Sequence, residues 1–486
     1  MNKYLRAVSS NYVFFFINAI FFLSITPIAI RVMGEELYGL WAILNAILLF
    51  SGVGILSMGV VVNKFAAEDG ENALHINSVI STAIFILLPM SIFVMILILV
   101  LRNWISAQFG LAEAQQIQVQ TALGFTALSV VPQFLGRIPY GYLFSQLKNN
   151  LARMVETCTY IATWSGAVVI AFYTASLSNI ALWNLIVQFF GTVVLFVLVL
   201  PRIHFRWRFE QKAFRTMLSF SGFSFLETLA SGIFQNFDRL VVGSILGASA
   251  AGIYSVATSV GLRLIIITGQ ITDVMVPYAS LKHSTDKQSE LYITFQRVSH
   301  LVSLLLGILA SFLIIWMDTI LSFWISYEYA KSYTNIFRII IIAYLVISMS
   351  RIGQQTLTGI GNIKVVSIIY FISSILMLGG IKLLSNPFGL EGAAYANLFM
   401  ITLISFNLIV YKHLPIQNSW RSVFQDIGFA LGLPVLTYHF VVRYTNIYAL
   451  IIASIAILIL AAINLKIHNA YPFLQKMVKR FRNPSI

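Results

Sequence analysis

The chain has 486 residues, 59% of them hydrophobic and 10% charged, with a formal net charge of +14. Soluble domains carry about 25% charged residues, so the composition excludes a soluble globular protein. The basic excess does not indicate nucleic-acid binding, because most lysines and arginines fall in short segments between apolar runs, as membrane insertion demands.

Apolar runs of about twenty residues match the length needed to cross a bilayer. They predict an all-α integral membrane protein with about fourteen transmembrane helices. The spans fall near 12–33, 37–62, 76–101, 117–140, 154–174, 179–200, 217–246, 252–277, 294–316, 333–358, 364–385, 390–411, 424–443 and 447–465. Lys3 and Arg6 precede the first run and no small-x-small cleavage site follows, so that run is expected to remain as span one. The single cysteine, Cys158, cannot form an intrachain disulfide.

The expected organisation is a six-helix bundle over 1–200, a basic cytoplasmic linker over 201–216 and a second six-helix bundle over 217–411. Two additional helices over 412–465 and a basic tail over 466–486 complete it. Of the 31 Lys and Arg, 21 lie in tails and loops on the side of the N-terminus, five at the opposite loops and five within spans. That asymmetry predicts cytoplasmic termini. All loops are short, the longest expected outer ones being near 102–116 and 317–332. The linker Pro201–Arg215 alternates His204, Arg206 and Arg208 with aromatic residues and reads as a topology anchor. The tail Tyr471–Arg482 has the apolar spacing of a helix lying on the membrane surface.

The seventh span carries Ser224, Glu227, Ser231, Gln235 and Asp238 at steps of three and four, the spacing of one helical face. A polar stripe inside a lipid-length helix must face protein or water, so it reads as a wall of a hydrated transport cavity. An internal repeat is also visible. Gly34 to Trp41 resembles Gly247 to Tyr254, with two glycines five apart followed by an aliphatic and an aromatic residue, at an offset of 213. Arg137-Ile138 matches Arg351-Ile352 at an offset of 214. Duplication of an even number of spans inserts both copies in the same orientation.

With those residues in view, the chain resembles the bacterial polysaccharide transporters of the O-antigen flippase type. That family shares a superfamily with multidrug and toxic compound extruders and lipid II flippases. The resemblance rests on Asp238-Arg239-Leu240, Gly243, Gly247 and Gly252-Ile253-Tyr254, on Pro27, Gly34 and Tyr38-Gly39-Leu40, and on Gln355–Gly361 and Gly389–Ala394. It implies two bundles in a V around a cavity that opens alternately to either side. The implied cargo is an undecaprenyl-diphosphate-linked oligosaccharide, flipped to the outer leaflet for O-antigen, capsule or exopolysaccharide synthesis. The implied location is the bacterial cytoplasmic (inner) membrane. The implied partners are the lipid bilayer, the lipid-linked glycan, and polysaccharide polymerase and chain-length proteins.

The chemistry points the same way. A lipid diphosphate needs cations, and guanidinium groups suit phosphate because their planar forks donate paired hydrogen bonds. A charge at the bilayer centre costs about 2.5–3.5 kcal/mol on insertion scales, so each intramembrane arginine needs water or a partner. The candidate cavity residues are Arg263, nearest a midplane, with Arg137, Arg351, Arg239 and Gln235. Arg263 either meets cargo or pairs with Glu227 or Asp238. Arg338, about one turn from an outer end, is expected to snorkel. Glu227 and Asp238 either bind a coupling proton or sodium ion or neutralise arginines. No cofactor, nucleotide or metal motif occurs: Gly52 and Gly54 lie inside a span, and His75, His204, His283, His300, His413, His439 and His468 have no metal spacing. The chain therefore reads as a transporter and not an enzyme. The alternatives are a cation-coupled drug antiporter, against which span one offers no acidic residue, and a membrane polysaccharide polymerase or ligase, against which the outer loops are too short.

Overall fold

A computed structural model describes residues 3–52, 56–68, 73–202, 211, 214, 232–413, 419–443, 450–458 and 460. Among them every regular element is helical. The helices are α1 (Lys3–Ser51), α2 (Leu56–Glu68), α3 (Ala73–Ala107), α4 (Glu113–Ser145), α5 (Asn149–Thr174) and α6 (Leu177–Val199). They continue as α7 (Asp238–Leu246), α8 (Ala248–Thr272), α9 (Met275–Ser284), α10 (Gln288–Trp324), α11 (Tyr327–Gly359), α12 (Ile363–Ala396), α13 (Ser405–His413) and α14 (Ser419–Arg443). A π-helical turn, Ile233–Phe237, leads into α7, and a 3₁₀ stretch, Asn397–Ile404, joins α12 to α13.

Nine segments among the described residues are long and apolar enough to cross a membrane, which makes this a multi-pass membrane protein. Two of the nine each hold two of the expected spans. Helix α1 breaks at Gly34 (φ 70°, ψ 170°) and α12 at Gly389 (φ 56°, ψ −136°). Helix α7 stops at Gly247 (φ 89°, ψ 174°). These positive φ values strain any L side chain, so glycine is what lets the chain turn there. Ser224, Glu227, Ser231, most of the 201–216 linker and the tail Tyr471–Arg482, expected as a surface helix, lie outside the described residues.

The expected outer loops are shorter than the sequence suggests. Only residues 108–112 separate α3 from α4, and only 325–326 separate α10 from α11. The polar residues flanking each apolar run continue the helical hydrogen-bond ladder, so the helices outrun a hydrocarbon core of about 30 Å. The hydroxyl of Ser326 caps α11 by accepting from the Tyr329 N–H at 3.1 Å.

The duplication extends to whole elements. Helices α4 and α11 both have 33 residues and start at Glu113 and Tyr327, 214 apart. Helices α5 and α12 start at Asn149 and Ile363, the same offset. The corner glycines Gly34 and Gly247 share one unusual backbone conformation.

The chain forms two compact units, Met1–Ser255 and Val256–Ile486, with the division inside α8. In the first, α4 packs along α2, α3 and α6, while α1 packs on α5. In the second, α10 packs along α11 and α14, and α11 also meets α12 and α13. Helix α11 is buried nearly all round. Helices α3 and α6 instead expose large apolar side chains, among them Phe93, Val100, Trp104, Phe189, Phe190 and Val197. Such faces suit contact with lipid.

Candidate functional site

In the first unit the site begins with the π turn. Its wider period falls inside the polar stripe read from the sequence and interrupts the α-helical spacing just ahead of Asp238. Local i→i+5 turns of this kind recur at functional sites. Gln235 lies within the turn, half-buried, and Asp238 follows it with 0% exposure. The Asp238 Oδ1 accepts from the Arg239 backbone N–H at 2.8 Å, and the Tyr254 hydroxyl also bonds the carboxylate. Its Oδ2 is buried with no hydrogen-bond partner among the described residues. Arg239 is half-buried, within electrostatic reach of the buried Tyr38 hydroxyl. Tyr38 is held by Trp41, which stacks edge-on against Trp164 at 4.6 Å.

Beside this turn opens an apolar cleft of about 510 Å³ between α1, α3 and α7, lined by Phe50, Leu97, Trp104, Phe237 and Leu240 among others. Phe50 and Phe237 meet at 5.1 Å between ring centres. At the Gly34 and Gly247 corners the backbones touch. A Cβ on Gly39 would lie 1.8 Å from the Ala248 carbonyl oxygen, and one on Gly252 would lie 2.9 Å from the Glu35 carbonyl oxygen. The Ser249 hydroxyl donates to Glu35 Oε2 at 3.1 Å and Gln115 donates to Glu36 Oε1 at 2.8 Å.

Arg137, on α4, is half-buried and its guanidinium stands 6.0 Å from the Tyr140 ring centre. Tyr140 donates to Glu156 at 3.2 Å, and Glu156 also accepts from Arg153 at 2.8 Å.

In the second unit Arg351 occupies the register on α11 that Arg137 occupies on α4, each 24 residues after the first residue of its helix. The Arg351 Nη2 bonds Asp273 Oδ1 at 2.9 Å, and Gln355 donates to the same oxygen at 2.6 Å. Gly269 leaves room for the guanidinium, since a Cβ there would sit 3.3 Å from Arg351 Nε. Arg351 and Asp273 keep 27% and 57% of their side-chain surface open, so this ion pair is accessible. Asp273 was not among the sequence candidates. Its signal was an acid closing an apolar span, four residues after Gly269.

Arg263 is half-buried near the middle of α8. Glu227, one of its expected partners, lies outside the described residues. Arg338, expected to snorkel, donates its Nε to the Ile314 carbonyl at 3.0 Å, which ties α11 to α10. No group of three or more metal-ligating side chains occurs among the described residues.

A family model for polysaccharide biosynthesis proteins matches residues 28–333. Over 376 residues the chain is 22% identical to a Shigella flexneri protein named as a candidate O-antigen transporter, covering 75% of this chain and 87% of that protein. Among solved structures it is similar to the lipid II flippase MurJ in an inward closed conformation, with a TM-score of 0.68 at 15% identity, covering 92% of this chain and 98% of that one. It is also similar to an inward-facing multidrug resistance MATE family transporter of the MOP superfamily, with a TM-score of 0.65 at 13% identity, covering 81% and 94%. At these identities the two structures establish a shared fold.

Proposed function

Because the chain belongs to the polysaccharide biosynthesis protein family, we propose that it flips an undecaprenyl-diphosphate-linked oligosaccharide from the cytoplasmic to the outer leaflet of a bacterial cytoplasmic membrane. The observation that carries this reading is the pair Arg137 and Arg351. They are half-buried permanent cations at one register of two duplicated helices, and Arg351 is held in place yet accessible. A diphosphate is the anion such forks suit, because two parallel N–H donors meet two phosphate oxygens. Asp273 and Gln355 orient the Arg351 fork, and a diphosphate would compete with Asp273 for it.

In this proposal Arg263, Arg239 and Gln235 complete the polar route for the glycan, and Asp238 balances charge beside Arg239. The apolar composition of the cleft beside Phe237 suits a lipid tail. The two six-span repeats alternate access by rocking, the usual motion of repeat-built transporters. Both termini lie in the cytoplasm, supported by the 21-to-5 distribution of basic residues. The named role of the Shigella flexneri relative supports transport over catalysis.

The test is reconstitution. Purified protein in vesicles carrying a fluorescent undecaprenyl-diphosphate-linked oligosaccharide should render the inner-leaflet label accessible to an impermeant quencher. An Arg351→Ala protein should not. Equal label exposure in protein-free vesicles and in vesicles containing the wild type would refute the reading.

A further inference from the structure

Pro277 follows Asp273 by four residues. A proline has no N–H to donate, and its ring pushes away the carbonyl four residues earlier, here that of Asp273. The eighth span breaks at that point. Helix α8 ends at Thr272, Asp273 and Val274 form a turn, and α9 begins at Met275 with the proline in its first turn. The side chain at the break crosses to α11, where Asp273 Oδ1 accepts from Arg351 Nη2 at 2.9 Å and from the Gln355 amide at 2.6 Å. We propose that Asp273 is an anion-displaced latch: while it holds Arg351 it fixes the bend in span eight, and a diphosphate that takes Arg351 frees the span to bend at Pro277. The inference rests on the flippase reading of Arg351 and adds the residue that senses the cargo.

The contact is built to be displaced. It is a single-point pair, Nη2 to Oδ1, whereas a diphosphate offers the paired oxygens that a guanidinium fork takes. Asp273 keeps 57% of its side-chain surface open, so an incoming anion can reach the pair without a prior rearrangement.

The two sides of the break are held differently. Beyond it, α9 is fixed by backbone and by polar bonds. A Cβ on Gly359 of α11 would lie 2.6 Å from the Val276 carbonyl oxygen. Tyr278 and Lys282 bond Thr294 and Glu290 of α10. Before the break, the close contacts of α8 on α11 are with side chains: Gly269 lies against the Arg351 guanidinium and Gly261 against the Tyr344 ring. Side chains can yield where backbone cannot, so a released hinge moves α8 and leaves α9 in place. The division between the two compact units falls inside α8, so the helix that moves is the one that carries the chain from the first unit into the second.

Two measurements on the detergent-purified full-length protein test the latch, with inorganic pyrophosphate as the probe. In the first, calorimetry at low ionic strength gives the pyrophosphate affinity. Asp273→Asn removes the competing charge and should bind about fivefold tighter than the wild type, the factor that a partly solvated ion pair can contribute. Asp273→Glu keeps the competing charge and should stay near the wild type, and Arg351→Ala should bind more weakly than either. A pair that only braces α8 on α11 would leave the affinity unmoved. Equal affinity in wild type and Asp273→Asn, including no binding by either, therefore overturns the proposal, as does undiminished binding by Arg351→Ala. In the second, spin labels are placed at cysteines replacing Ser259 on α8 and Leu281 on α9, with Cys158 replaced by serine. Saturating pyrophosphate should shift the distance between them, and Pro277→Ala, which restores the helical hydrogen bond, should suppress the shift. An unchanged distance in the parent, or an equal shift in Pro277→Ala, overturns the hinge. Neither measurement needs glycolipid, so a wild type that passes both and moves no glycolipid refutes the function and leaves the latch standing.

Discussion

Replacing Gly39 is the sharpest structural perturbation available. Its Cβ would lie 1.8 Å from the Ala248 oxygen and 2.5 Å from the Ala248 carbonyl carbon. Ordinary carbon–oxygen contact is near 3.3 Å, so the two corners must separate by about 1.5 Å to admit one methyl group. Backbone cannot yield as a flexible side chain can, so the cost falls at or above the upper end of the range of about 1–3 kcal/mol for overpacking. Separation also strains the Ser249–Glu35 hydrogen bond, worth about 0.5–1.5 kcal/mol. The assay is disulfide formation between cysteines at Glu35 and Ser249, with Cys158 replaced by serine, alongside the thermal midpoint of the detergent-purified protein. Gly39→Ala should lower both crosslink yield and midpoint, and Gly39→Leu more so. Gly379→Ala is the control, because nothing lies within 4 Å of its Cβ position. If Gly39→Leu crosslinks and melts like the parent, the corners are not in backbone contact and the reasoning fails.

Arg351→Ala should abolish export while the protein still accumulates, and adding Asp273→Asn should not restore export. The stability change should be small, about 1 kcal/mol or less, because both partners are partly solvated. Membrane immunoblots alongside surface polysaccharide staining separate these outcomes. Arg263→Ala should lose export with normal accumulation, and Arg263→Lys should recover it only in part, since lysine keeps the charge but not the fork; normal export by the alanine variant removes Arg263 from the site. Cysteines at Ser176 and Gln211 report topology: an impermeant thiol reagent applied to intact cells should label the first and not the second, and the reverse pattern inverts the membrane orientation.

Much of the architecture was legible because it depends on local chemistry. Gly34 and Gly247 stood out at an offset of 213, and both adopt backbone angles that only glycine tolerates easily. The Arg137 and Arg351 match led to two helices of equal length and register. The π turn at Ile233–Phe237 was not legible, because the stripe from Ser224 to Asp238 fits an ordinary α-helix and nothing local demands the extra residue. Asp273 was missed because its meaning is tertiary: its partner lies 78 residues away. Loop lengths were overestimated because hydropathy marks where lipid ends, not where the helical ladder ends.

In the proposed function this chain carries a lipid-linked oligosaccharide across the membrane. The measurement that tests this most directly is the leaflet distribution of that lipid in cells depleted of the protein. Spheroplasts are treated with an impermeant glycosidase, and the undecaprenyl-diphosphate-linked glycan that survives is quantified by mass spectrometry. Depletion should make the glycan accumulate in protected, cytoplasm-facing form, and re-expression of the wild type, but not of Arg351→Ala, should return it to the accessible leaflet. An accessible fraction unchanged by depletion would contradict the account.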